Sequence, residues 1–97
     1  MIGLQLGPEC VGLHVPPPRA DAIQVEWTKS LPRAPRLRVR GHTCACTFPA
    51  FELCTAAGLW FVRRLPAKGT GDIMESAWTS ARAAEELWLQ IVTGRAR

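Results

Sequence analysis

The chain has 97 residues, 47% of them hydrophobic and 21% charged, with a formal net charge of +4. That length supports one hydrophobic core and no second domain of ordinary size. No apolar run approaches the roughly 20 residues a membrane-spanning helix needs, so an integral membrane protein of the helical type is not expected.

The first residues carry apolar side chains at even spacing: Ile2, Leu4 and Leu6, then Val11, Leu13 and Val15. Alternation of this kind predicts short strands, weakened by Gly3, Gly7 and Gly12. Pro16, Pro17 and Pro18 form a stiff extended spacer. Ile23, Val25 and Trp27 alternate with Gln24 and Glu26, a strand pattern with one wet face. Pro32 and Pro35 then interrupt regular pairing. Residues 1–35 therefore read as an irregular, Pro-rich arm loosely attached to a domain at 36–97.

Arg36-Leu37-Arg38-Val39-Arg40 alternates cleanly and would direct its three guanidinium groups to one side. Residues 42–49 read as a loop. Three strands follow, at 51–56, 59–65 and 73–78. Ala57-Gly58 makes the first turn, and the glycines at 69 and 71 mark a second, mobile one. The middle strand, with Leu59, Trp60, Phe61 and Val62 in succession, is apolar on both faces and should be central.

Thr79 or Ser80 can cap a helix. Ala84, Leu87, Trp88 and Ile91 fall on one face of it, with Arg82, Glu86, Gln90 and Thr93 opposite. Gly94 is placed to end it, and Arg95 and Arg97 lie near its negative pole. The expected fold is α+β: a small antiparallel sheet of three to four strands, then one packed C-terminal helix over residues 80–93. The β-β-β-α core is expected at 51–94.

Two constellations carry chemistry. His42, Cys44, Cys46 and Cys54 offer soft ligands of the type zinc takes, although Cys-x-Cys departs from the usual Cys-x2–4-Cys pairs. The competing reading makes the cysteines small buried hydrophobes and His42 a surface residue. No acidic partner in sequence orients a Cys/His pair for nucleophilic catalysis, so an enzyme is not expected. The second constellation is basic. No acidic residue lies between Trp27 and Phe51, and Lys29, Arg33, Arg36, Arg38 and Arg40 fall in that span. With Arg63 and Arg64 they could track a phosphate backbone, or simply form a solvated strand face. Of the 12 cations ten are Arg, the residue suited to planar anionic acceptors; an Arg-, Ala-, Gly- and Pro-rich composition also follows from a GC-rich genome. The four Trp residues sit in core phase and read as packing.

Three strands followed by a helix over residues 51–94 resembles, in element order, the small DNA-binding domains at the N-terminus of tyrosine integrases and in AP2-type factors. In those families the exposed sheet face presents polar and basic groups to the major groove. Here Trp60, Phe61 and Val62 stand in the middle strand. The string Glu52-Leu53-Cys54, Gly58 to Arg64, Glu86-Leu87-Trp88 and the ending 93–97 also resembles small uncharacterised proteins of actinobacterial type, which transfer no function. The function expected is a small non-enzymatic interaction or regulatory module with a protein or anionic-polymer partner. The alternative is a zinc-stabilised nucleic-acid-binding domain. With no signal peptide evident and no apolar span, a cytoplasmic location and reduced thiols at Cys10, Cys44, Cys46 and Cys54 are expected.

Overall fold

The computed structural model of the chain describes residues 13–31, 36–44, 46–67 and 69–97. Cys10, Arg33 and the strands expected before residue 13 lie outside the described residues. The elements are β1 (Thr28–Lys29), β2 (Arg38–His42), β3 (Ala50–Ala56), β4 (Leu59–Leu65), β5 (Met74–Glu75) and α1 (Ala81–Val92). The strands form one antiparallel sheet in the order β1-β5-β4-β3-β2, which places β4 at its centre. The fold is α+β with a C-terminal helix, but among the described residues the sheet has five strands rather than the expected three to four. None of the helices among the described residues is long and apolar enough to cross a membrane.

The extra strand comes from the arm. The alternating segment at Ile23, Val25 and Trp27 forms no ladder with the sheet, and pairing begins only at Thr28, opposite Glu75. The segment instead runs along the C-terminus. Ile23 and Val25 donate to the carbonyls of Arg95 and Arg97, each at 2.8 Å, and Arg97 donates back to Ile23 at 2.9 Å. Val25 and Trp27 pack on the core while Ile23 stays exposed. Contacts far apart in sequence therefore pin the described part of the arm. Ser30 also donates to the Glu75 carboxylate at 3.1 Å, and Glu75 is buried.

The strand expected over 73–78 is cut to Met74–Glu75 because Ser76 substitutes its side chain for the ladder. Its hydroxyl accepts from the Val62 amide at 2.9 Å, and its own amide donates to the Val62 carbonyl at 2.8 Å. Pairing resumes at Thr79, which exchanges two 2.8 Å bonds with Trp60. Continuing the Arg63–Glu75 register would set Trp78, not Thr79, opposite Trp60, so one extra residue is accommodated here. The displacement sets the Trp78 ring flat on Phe61, centroids 4.5 Å apart.

Both faces of the sheet's centre are covered. On one, Phe51, Leu53 and Val62 meet Ala84, Ile91 and Ala96. On the other, Cys54, Ala56 and Phe61 lie under Leu37 and Trp78. The helix keeps its predicted ends. Ser80 Oγ accepts from the Ala83 amide at 3.2 Å, and Gly94 has φ +80°. Ala84 and Ile91 are buried, whereas Leu87 and Trp88, predicted on the same face, are half-buried at its margins. Arg97 Nη1 donates to the Ile91 carbonyl at 2.8 Å, adding a second donor to an acceptor that also takes the Gly94 amide at 3.1 Å.

Candidate functional site

The basic segment reaches the sheet as β2, its edge strand. Arg38 lies opposite Thr55, and Thr55 opposite Trp60, so all three share the face that carries the helix. Register slips between Val39 and Gly41, making Arg40 the extra residue of a bulge. A bulge re-aims its side chain. Arg40 Nε accordingly donates to Thr55 Oγ1 at 3.4 Å, and its guanidinium lies 6.0 Å from the centre of the Trp60 ring. A Cβ at Gly41 would sit 3.5 Å from the Trp88 ring, an ordinary van der Waals contact, so the helix packs close to β2 at that point.

Arg36, Arg38 and Arg40 thus line one groove of about 270 Å³ with Thr55, the Ala57–Gly58 turn and Trp60. No carboxylate is among its described lining residues. Among the described residues, none forms an ion pair with these three guanidinium groups. The first turn of α1 also carries no acidic residue. It begins two residues after Thr79, which is bonded to Trp60. Among the described residues, no carboxylate therefore offsets the charge of these three guanidinium groups. Three flexible cations held near one another are stabilised by an anion placed between them.

The other two arginines of the basic set lie elsewhere. Arg64 shares the helix-bearing face, but at the far end of β4, opposite Phe51 and over the Trp27 ring at 5.5 Å. Four residues of strand put it about 13 Å from Trp60. Arg63 points to the opposite face. Its Nε and Nη2 both donate to Glu52 Oε1, at 3.1 and 2.7 Å. Burial pulls the Arg63 guanidinium down, but the hydrogen bond and charge of Glu52 outweigh it and leave the group raised. That opposite face, with Arg63 neutralised and Phe61 and Cys54 buried, is not a basic reading surface of the integrase or AP2 kind.

The four soft ligands also separate. His42 lies across from Glu52 at the end of β2, its Nδ1 3.3 Å from the Thr43 carbonyl oxygen. Cys54 is inaccessible, packed with Ala56 and Phe61, and burial pushes its thiol up to about 11 against the pull of Arg63. Cys44 and Cys46 remain together, with sulfurs 3.1 Å apart. The residue that joins them is His14, whose Nε2 lies 3.3 Å from Cys46 Sγ. Nothing local marks His14 as a ligand, because it lies 32 residues from Cys46 and precedes three prolines. Trp60 was likewise legible only as packing, and its place beside Arg40 depends on the bulge.

No protein-family profile, curated protein or solved structure matches this chain.

Proposed function

We propose that the chain is a small non-enzymatic interaction module whose Arg36–Arg38–Arg40 groove takes the phosphate backbone of a nucleic acid. The observation that carries this reading is the convergence of three guanidinium groups on one groove beside Trp60, with no carboxylate among the described lining residues. Arg is suited to such acceptors because its planar fork donates two parallel hydrogen bonds to a phosphate. Contacts of this type position a backbone without reading sequence, so binding should be salt-sensitive and sequence-tolerant.

Fluorescence anisotropy with labelled duplex and single-stranded DNA at a series of salt concentrations tests it. Each neutralised phosphate contributes about −0.9 to the log–log salt slope on duplex and about −0.7 on a single strand. Replacing Arg36, Arg38 and Arg40 with Gln should flatten the duplex slope by up to about 2.7, if each contacts one phosphate. Arg63→Gln should leave the slope unchanged, because Glu52 already occupies that guanidinium. Absence of binding at low salt would overturn the reading and leave the groove as a protein-docking or solubilising face.

A further inference from the structure

We propose that His14, Cys44 and Cys46 form a zinc site that staples the N-terminal arm to the connection between β2 and β3. The donor atoms, two sulfurs and one imidazole nitrogen, all lie within 4.8 Å of one another. Ligand atoms around tetrahedral zinc sit roughly 3.6–3.8 Å apart, given bonds of about 2.3 Å to sulfur and 2.0–2.1 Å to nitrogen. The sulfur–sulfur distance of 3.1 Å and the sulfur–nitrogen distance of 3.3 Å need to widen by about 0.7 and about 0.3 Å to reach that geometry. Two thiolates and an imidazole form a soft set, which favours zinc and disfavours magnesium and calcium.

The backbone on either side of His14 and Cys44 is tied by long-range bonds. Thr43 exchanges bonds with Phe51, its amide donating to the carbonyl at 2.9 Å and its Oγ1 accepting from the amide at 2.9 Å. The next residue, Cys44, donates its amide to the Leu13 carbonyl at 2.7 Å, and Leu13 and Thr43 form a parallel bridge. These bonds set His14 beside the Cys-x-Cys segment at one defined register. Cys44 is fully buried, while Cys46 and His14 are exposed, so the site has an anchored side and an open side through which the ion enters.

Binding here would act as folding free energy, because the donors come from segments about 30 residues apart and meet only in the native chain. The site sits at the end of β2 opposite the arginine groove, so loss of the metal and loss of nucleic-acid binding are separately observable. The zinc inference does not rest on the groove.

The test is metal analysis of the full chain, purified under reducing conditions, loaded with Zn2+ and freed of excess. A competition titration against a chromophoric chelator and the charge-transfer band of the Co2+ form report the ligands. About one Zn2+ per chain is expected, together with a higher Tm than after chelation. Replacing the exposed ligands, His14→Ala and Cys46→Ser, should weaken binding by more than about tenfold, with His42→Ala within about twofold of the parent. Circular dichroism establishes that each variant remains folded. A loaded chain that retains no zinc overturns the proposal, and so does an affinity lowered by His42→Ala but not by His14→Ala.

Discussion

Replacing Ile91 with Ala tests whether the helix is held by its buried face. Ile91 is fully inaccessible and sits among Phe51, Leu53, Val62, Ala84 and Ala96. The change removes three carbons. At about 0.8 kcal/mol per buried methylene the transfer contribution is about 2.4 kcal/mol. A cavity between rigid strands collapses only partly, which raises the expected cost to about 3–4 kcal/mol. For a domain of this size each kcal/mol lowers Tm by roughly 4–8 °C, so a fall of more than about 12 °C is expected. The control is Leu89→Ala on the same helix. Leu89 is 61% exposed, and its loss should lie within about 0.5 kcal/mol of neutral. Urea denaturation of both variants, read by tryptophan fluorescence, compares them directly. Equal midpoints for the two would refute the packing of α1 on β3 and β4, since helix propensity treats the two substitutions almost alike.

Gly94 and Gly58 both have positive φ, at +80° and +78°, but differ in what surrounds them. An added Cβ at Gly94 would lie 3.0 Å from the Pro17 carbonyl oxygen, whereas at Gly58 it meets nothing within 4 Å. Gly58→Ala should therefore cost only the left-handed backbone penalty, about 1–2 kcal/mol, and Gly94→Ala measurably more in the same denaturation assay. Equal costs would show that the arm does not dock at the end of the helix. Cys54 gives a pH dependence. Burial raises its folded thiol to about 11 from an ordinary value of 9.0, so the folded state holds its proton longer than the unfolded chain. The stability this contributes is present below about pH 9 and declines as pH rises toward about 11. Denaturation midpoints across that window should fall more for the parent than for Cys54→Ala. A parent-minus-variant difference independent of pH would refute it.

Much of the domain was legible because its signals are local. The Ser80 cap, the face running from Ala84 to Ile91 and the stop at Gly94 all act within about one helical turn of the residues they control. The Ala57-Gly58 turn and the double-sided apolar run of β4 are equally short-range, so the central hairpin and the place of β4 in it could be read directly. The alternation at Arg36 to Arg40 likewise put the three guanidinium groups on one side, though it could not foresee the bulge at Arg40 that turns one of them toward Trp60.

What the tertiary structure decided is every pairing between segments far apart in the chain. The alternating pattern at Ile23 to Trp27 specifies an extended segment with one apolar face, but not what it lies beside. Its partner proved to be the C-terminus, and β1 formed only where the chain reaches Glu75. The soft ligands make the same point. Sequence spacing grouped Cys54 with Cys44 and Cys46. Strand geometry sends Cys54 into a core formed with Phe61, while a bond between the Leu13 carbonyl and the Cys44 amide brings in His14. Periodicity governs which way a side chain faces, whereas the neighbour across a gap of 30 residues depends on how separate apolar surfaces close on one another.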